Sequence, residues 1–328
     1  MAKFKIYKLR FTTPLHLGNE RADYGTSLQT IHSDTMHAAL IASLAKLGVE
    51  IPKEGHFGFS LSSLFPYTND GDKDVYFLPK LKSQNIPSSK FQKIAKKIKK
   101  VEWLDIHYYN RQINGEKLFD EEFNPINLYG KYLSEYKIDK DFIEKEVTPR
   151  VKVSRDWSED AEPFYMERIY FKEGSGMYFI AHGDTSKIDI AMKVLEDMGI
   201  GTDRTIGNGF FEFETGEIEL VLPKSDFLTN LSMFIPESKE QLITLLNSED
   251  TAYNFQKRGG WITDVGLNTY RKNSIYMFSE SGVFKNDIKT NTVQIKGKTV
   301  DLKPDIEHVK IEHPIYRVGK SIFLPVKL

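Results

Sequence analysis

The sequence predicts an α+β fold, and three kinds of pattern carry the prediction. Residues 3–12 alternate between polar and apolar side chains, as in a strand with Tyr7, Leu9 and Phe11 on one face. Two amphipathic helices with recognisable ends follow later in the chain. Strand-like segments lie near 147–155, 165–181 and 209–222. The order β-α-β-β-α-β is typical of a ferredoxin-like (RRM-like) unit, with helices on one face of an antiparallel sheet.

The first helix begins after a loop from Pro14 to His32 that is rich in Gly, Asn, Asp and Thr. Ser33 or Asp34 is the predicted N-cap, because a side-chain oxygen there accepts from a free N–H of the first turn. Met36, Leu40 and Leu44 fall on one helical stripe, and Gly48 occupies the C′ position.

The second helix spans about 187–198. Ser186 and Asp189 have capping-box spacing, and Gly199 ends the helix. The apolar stripe of this helix comprises Ile188, Ala191, Val194, Leu195 and Met198.

The organisation predicted from these elements is two tandem domains. Residues 1–222 form an N-terminal ferredoxin-like (RRM-like) domain, with an insertion at about 50–145 and a hairpin at about 150–168. Pro223-Lys224-Ser225 marks the boundary. Residues 223–328 form a degenerate second unit, with a strand near 226–235 and a helix capped by Ser238. The insertion contains an amphipathic helix near 89–103.

Composition excludes several classes of function. The 328 residues contain 45 Lys and Arg against 46 Asp and Glu, so bulk positive charge does not hold nucleic acid. A local basic groove remains open, because phosphate binding depends on where the cations lie. Zero cysteines exclude disulfides, catalytic thiols and Cys-based zinc sites. With a mean hydropathy of −0.42, no stretch of roughly 20 apolar residues and no signal-like segment after Met1, the expected location is the cytoplasm.

The most informative stretch is the glycine-rich segment from Gly199 to Phe211. Its glycines free the backbone for positive φ and for close approach of a ligand, and exposed N–H groups in such loops bind anions. A dinucleotide fingerprint fails here, because the position of the third glycine is Arg204 and the loop leads from a helix to a strand. The competing interpretation is a helix C-cap followed by a tight turn.

Metal and catalytic patterns are weak. His32 and His37 lie on different helix faces, and the Asp70-Asp72-Asp74 segment has Leu81 where a calcium loop needs a bidentate Glu. His16 and His32 flank the first loop and have the chemistry of an acid–base pair for RNA cleavage. A structural or RNA-contacting role is favoured for both, since no third group orients them.

Basic residues are concentrated in two runs. The run from Lys90 to Lys100 is interpreted as the solvated face of a helix. Arg150, Lys152 and Arg155 precede an acidic tip and then Phe164-Tyr165, which indicates a projecting hairpin. Cations that follow phosphates beside aromatic rings that stack on bases suit single-stranded nucleic acid.

Several segments, taken in order, resemble one known family. Residues 201–210 resemble the signature loop of the RAMP superfamily of CRISPR proteins. The chain as a whole resembles subunit four of the Csm-type (type III-A) interference complex. The segments that carry this resemblance are 11–18, 31–35, 149–155, 164–168, 257–261, 297–302 and 313–320.

The resemblance implies a non-catalytic RNA-binding subunit without metal or cofactor. Such a subunit grips the 5′ handle of the CRISPR RNA, caps the filament of backbone subunit three, docks the large polymerase/cyclase-like subunit and places a thumb-like hairpin against the guide–target duplex. No membrane partner is implied. The candidate RNA-binding residues are His16, Arg21, Ser33, Arg150, Lys152, Arg155, Gly201, Thr202, Arg204, Gly207, Asn208, Gly209, Lys257, Arg258, Trp261 and Arg271. Two alternatives remain open: a RAMP-type endoribonuclease that processes precursor CRISPR RNA, and a general RRM-like RNA-binding module.

Overall fold

A computed structural model describes residues 1–18, 24–82, 94–120, 123–153, 160–262, 267 and 269–328. It confirms the predicted α+β class. The helices are α1 (Ser33–Lys46), α2 (Ala95–Lys99), α3 (Ile106–Ile113), α4 (Ser186–Met198) and α5 (Lys239–Leu246). Within the described ranges, none of them is both long and apolar enough to span a bilayer.

Strands make up the larger part of the regular structure. They are β1 (Ala2–Phe11), β2 (Phe59–Leu61), β3 (Phe65–Asn69), β4 (Asp74–Pro79), β5 (Trp103–Asp105), β6 (Leu128–Tyr129), β7 (Tyr132–Leu133), β8 (Ile143–Lys152), β9 (Glu162–Phe171), β10 (Gly176–Gly183), β11 (Phe211–Leu220), β12 (Ser225–Asn230), β13 (Phe255–Arg258), β14 (Ile275–Phe278), β15 (Val283–Thr290), β16 (Gln294–Lys296), β17 (Thr299–Asp301), β18 (Tyr316–Val318) and β19 (Ser321–Val326).

The N-terminal unit is built around β1, which lies between β10 and β11 and is antiparallel to both. β2 pairs with the outer edge of β10. The sheet neighbours are β11-β1-β10-β2, with α1 after β1 and α4 after β10. The strand predicted near 147–155 is not among them, because it forms β8 and pairs with β9 outside this sheet. Tyr7 and Leu9 pack against the apolar stripes of α1 and α4, as their alternation predicts.

The opposite face of β1 is also buried, and this was not predicted. Phe4 and Ile6 share a core with residues of the insertion and with Leu231 and Leu324 of the C-terminal unit. The insertion therefore covers the second face of the sheet, and its strands β3 to β7 extend the sheet beyond β10. Because this core crosses residue 223, the two predicted units are packed together.

Both predicted caps of the long helices lie one residue away from the observed N-caps. His32 and Thr185 are the N-cap residues, and neither side chain caps its helix. The Ser33 hydroxyl instead accepts from Met233 N at 2.9 Å, and Asp189 binds Lys5 Nζ at 2.9 Å. Both side chains, which local spacing assigned to capping, instead bind residues that are distant in the sequence. Gly199 ends α4 with φ +70°, as predicted.

The single strand predicted near 165–181 is in fact two strands, β9 and β10, separated at Gly174 with φ +72°. β9 turns away from the sheet and pairs with β8 over ten residue pairs. The hairpin is tied to the body where Leu15 bridges Ile169. Residues 156–159 of its predicted tip lie outside the described residues.

The helix predicted near 89–103 ends earlier than expected. Its described part is α2, after which Trp103 already begins β5. Ile98 and Val101 are buried, while the lysines at 96, 97, 99 and 100 are exposed, as expected for a solvated face. Lys90, Phe91 and Lys93 lie outside the described residues.

The C-terminal unit contains a four-stranded sheet in the order β15-β12-β19-β16, together with the ribbons β13-β14 and β17-β18. α5 begins where predicted, since Ser238 Oγ accepts from Gln241 N at 3.2 Å. The Gln241 side chain accepts from Glu237 N at 2.8 Å, which satisfies a further N–H at the start of the helix.

Candidate nucleic-acid interface

The glycine loop connects α4 to β11 and contains several left-handed residues. Gly201, Asp203, Gly207 and Gly209 have φ of +96°, +57°, +90° and +76°. Two of these glycines are required by packing: a Cβ at Gly209 would lie 1.8 Å from Ile200 O, and one at Gly201 would lie 2.6 Å from His16 O. The turn interpretation is therefore correct for this half of the loop.

The loop is fixed against the segment that follows β1. Gly209 N donates to Pro14 O at 2.8 Å, and Thr202 N donates to His16 O at 3.0 Å. Phe210 N donates to Thr13 Oγ1 at 2.9 Å. These bonds bring the candidate residues His16, Thr202 and Gly209 close to one another.

The other half of the loop is open. No atom lies within 4 Å of a Cβ built at Gly207, and Arg204 and Ile206 are exposed. Among the described residues, no hydrogen-bond partner is found for the N–H groups of Gly201, Asp203, Arg204 and Thr205. Free N–H groups beside an exposed guanidinium are the features that bind a phosphate.

Two candidate residues of this region are buried. His16 is 1% exposed, stacks on Tyr24 at 5.9 Å, and its Nδ1 lies 2.6 Å from Glu167 O. Asn208 is 1% exposed, and its Nδ2 has no partner in the described part of the chain. Both side chains therefore support the loop from behind, and the open face consists of the backbone and Arg204.

A second group of candidates lies where α1 meets the C-terminal unit. Arg258 binds Asp34 through two bonds of 2.9 and 3.1 Å, and also donates to Thr35 Oγ1. Arg317 donates to the same carboxylate at 2.6 Å and to Gly259 O at 2.8 Å. The guanidinium of Arg258 is thus engaged within the protein, as is the Ser33 hydroxyl, and both residues join the two units.

This junction is electrostatically demanding because Asp34 is fully buried. Burial alone raises the pKa of a carboxyl, but Arg258 and Arg317 outweigh burial and hold the pKa of Asp34 well below its usual range. Beside it, His32 Nδ1 lies 2.9 Å from Glu280 Oε1. Burial opposes the charge on His32, yet Glu280 raises the pKa of this imidazole above its usual value.

The remaining C-terminal candidates lie around the β13-β14 ribbon. Lys257 is exposed on β13. The Arg271 guanidinium lies 4.9 Å from the centre of the Trp261 ring, a cation–π pair that presents an aromatic face and a charge together. Phe255 and Tyr276 are 59% and 62% exposed with ring centres 5.6 Å apart, and the sequence reading missed this aromatic pair. Its only sequence signal is an aromatic residue in each of two short strands.

The hairpin carries the other predicted cations. Lys152 is exposed and forms a loose pair with Glu162 at 3.8 Å, and Arg150 is half-buried opposite Phe164. Val147, Val151 and Tyr165 are more than half exposed, so the hairpin presents an apolar surface as well as charge. Arg21 and Arg155 lie outside the described residues. Within the described ranges, no cluster of acidic or histidine side chains suits a metal ion.

The segment between β1 and α1 links the two groups. Pro14 and His16 hold the glycine loop, whereas Ser33 and Asp34, at the far end, hold the C-terminal unit. The sequence predicted positive φ in the glycine loop, which the structure shows, but it did not reveal the contact of Asp34 with Arg258 and Arg317, which are 224 and 283 residues away.

Comparison with solved structures places the fold among subunits of type III CRISPR complexes. The chain is 20% identical to a chain of a Csm3-Csm4 subcomplex of the type III-A interference complex, with a TM-score of 0.58 and coverage of 100% of both chains. It is 19% identical to a chain of a Csm1-Csm4 cassette in complex with cA4, with a TM-score of 0.58 and coverage of 100% and 99%. At these identities the likeness concerns the fold.

Sequence comparison is more specific. Residues 223–326 match the family described as the CRISPR Csm4 C-terminal domain. The chain is 28% identical to the Csm4 protein of Thermococcus onnurineus, over 70% of this chain and 71% of that protein. These matches confirm the predicted resemblance to the Csm4 proteins of CRISPR systems, and residues 223–326 match their C-terminal domain.

Proposed function

We propose that this protein is the subunit of a cytoplasmic type III-A CRISPR effector complex that grips the 5′ handle of the CRISPR RNA. The observation that carries the proposal is the half-open glycine loop. One half is locked to Pro14 and His16. At the other half lie N–H groups that have no partner among the described residues, together with the exposed Arg204, whose Nη1 donates to Gly199 O at 3.4 Å. Backbone donors that are already in position hold phosphates and splayed bases with little loss of entropy.

We assign the binding surface to both groups of candidate residues. Arg204, Lys257, Arg271 and Trp261 supply exposed charge and an aromatic face. His16, Ser33, Asn208 and Arg258 are positioning residues, because each is buried or engaged with protein atoms. Single-stranded RNA needs both phosphate contacts and stacking, which this division supplies.

The proposed protein partners are the large polymerase/cyclase-like subunit and the backbone subunit three. The similar solved chains, in a Csm1-Csm4 cassette and a Csm3-Csm4 subcomplex, support this choice of partners. The hairpin β8-β9, with its exposed Val147, Val151 and Tyr165, is the surface that we assign to the guide–target duplex. A subunit with nearly balanced charge suits an assembly that needs protein interfaces in addition to an RNA groove.

We further propose that residues 1–222 and 223–328 are tandem ferredoxin-like (RRM-like) domains, the second degenerate. The neighbours β11-β1-β10-β2 support this for the first. In the second, β12 lies between β15 and β19, and α5 follows β12.

The protein is proposed to be non-catalytic. His16 and His32, the acid–base pair of the endoribonuclease alternative, are 1% and 8% exposed, and His32 is paired with Glu280. A general acid must reach the proton that it transfers, and neither imidazole faces an open surface.

Binding of the handle tests the proposal. The full chain, alone and assembled with its partners, is titrated with RNA that carries the handle and with RNA in which the handle is scrambled. We expect tighter binding of the handle-bearing RNA. Equal binding of the two RNAs favours a general RNA-binding module.

A further inference from the structure

A cavity of about 460 Å³ lies between α1 and the C-terminal unit, away from the glycine loop. Pockets that bind small ligands span about 300–1,000 Å³. The cavity exists because α1 turns small side chains to this side. Ala38, Ala42 and Ala45 recur at helical spacing and are exposed at its mouth. The larger residues of the helix stripe pack on the opposite side.

The inner wall of the cavity is mainly apolar. Ile41, Ile262 and Ile315 form it together with residues of β18 and the segment before it. Such a wall favours a weakly polar group over a hydrated ion, since apolar surface is removed from water when the group binds.

Two polar side chains of the wall lack partners. His37 is 3% exposed, and neither ring nitrogen has a hydrogen-bond partner in the described part of the chain. Burial lowers the pKa of His37 to about 3, so the ring is neutral and offers one donor and one acceptor. A second void of about 10 Å³ beside Phe59 has room for one water at most. Both nitrogens are buried, so His37 contributes a neutral ring to the wall of the larger cavity.

Lys272 supplies a cation to the same cavity. Its ammonium has no ion pair among the described residues, and burial together with Arg317 lowers its pKa to about 8. Among the described residues, Arg258, Arg317 and Lys272 carry three positive charges near the carboxylate of Asp34. A negatively charged ligand relieves this excess.

We propose that this cavity binds one nucleotide, with its base on the apolar wall and its phosphate beside Lys272. This inference rests on the proposed function for its choice of a nucleotide over other planar anions. The nucleotide is either a free mononucleotide or one residue of a bound RNA strand, which the test separates.

The first arm uses the full chain and the four nucleoside 5′-monophosphates, followed by calorimetry and by NMR of isotope-labelled histidine. We expect saturable binding of at least one monophosphate, with a shift of the His37 resonances. Ala42→Phe fills the mouth of the cavity at an exposed helix position, so the fold is retained. It is expected to weaken binding by about tenfold or more, because burial supplies most of the affinity of a small ligand. Lys272→Gln should weaken binding too, whereas Lys303→Gln, at an exposed lysine outside the cavity, should not.

The second arm uses handle RNA in which single nucleotides are made abasic. If the ligand is part of the RNA, one abasic position and Ala42→Phe weaken binding by the same factor, and their combination adds nothing further. If monophosphates bind and Ala42→Phe leaves the affinity for RNA unchanged, the cavity is assigned to a free nucleotide. No monophosphate binding, together with wild-type handle affinity in Ala42→Phe, overturns the nucleotide site and leaves the proposed function intact. Monophosphate binding without any handle binding would support the nucleotide site and overturn the proposed function.

Discussion

Arg204 is the exposed cation of the glycine loop, so it tests the loop at the level of one side chain. Arg204→Ala is expected to weaken handle binding by about 1.5–3 kcal/mol, the range for a hydrogen bond to a charged group. The slope of log affinity against log salt should fall by about one phosphate contact. Arg111→Ala, on α3 and paired with Glu116, is the matched control. Wild-type affinity in a folded Arg204→Ala protein would mean that the loop is only a turn.

Asp34 tests the junction between α1 and the C-terminal unit. Asp34→Asn leaves Arg258 and Arg317 without their counter-ion, and about 3–5 kcal/mol of stability should be lost at pH 7. The folded pKa of Asp34 is depressed, so its contribution is complete above the ordinary carboxyl value of 3.8 and is lost as pH falls below it. Urea unfolding of both proteins between pH 7 and pH 3 measures this. A difference that grows on acidification would contradict the assignment.

At the scale of the element, substitutions at two glycines of the loop distinguish an effect on packing from an effect on RNA binding. Gly209→Ala should destabilise the fold, because its Cβ meets Ile200 O. Gly207→Ala meets no atom and should cost only about 1–2 kcal/mol, for a left-handed φ. Gly207→Val adds bulk on the open face, and we expect it to reduce handle binding by more than its loss of stability explains. Melting curves and binding titrations are compared for all three variants. Equal effects at Gly207 and Gly209 would argue against an open half.

The hairpin β8-β9 gives a second test at this scale. Shortening the predicted tip, Asp156 to Pro163, should leave the melting temperature unchanged, because Leu15, Ser27 and Lys145 hold the base of the hairpin to the body. In an assembled complex, chemical probing should show altered access to the bases next to the handle. An unchanged probing pattern would restrict the hairpin to protein contacts.

How far the sequence predicts the structure depends on the range of the interactions involved. Local patterns predicted β1, α1, α4 and α5 within one or two residues, since apolar periodicity and a terminal glycine act within a few residues. The predictions of two helix caps and of one continuous strand across Gly174 were wrong, because they depend on residues that are distant in the sequence. These residues are Met233, Lys5 and the strand β8 that pairs with β9. The same limit explains why Arg258 was predicted to bind RNA, although its guanidinium is bound to Asp34.

The whole molecule is expected to bind RNA without cutting it. The purified chain should not cleave repeat RNA, with or without divalent ions, because both candidate imidazoles are buried. His16→Ala and His32→Ala provide the comparison. Specific cleavage by the wild type that is lost in either variant would establish the endoribonuclease alternative.

Recovery of the complex tests the central claim most directly. The full chain is tagged and purified from a host that expresses the large subunit, the backbone subunit and a CRISPR array, and the bound RNA is sequenced. The account predicts one multi-subunit assembly that contains RNA with a constant, repeat-derived 5′ end, and loss of that RNA when Arg204 and Lys257 are both changed to Ala. A chain recovered alone, or with RNA whose 5′ ends vary, would contradict it.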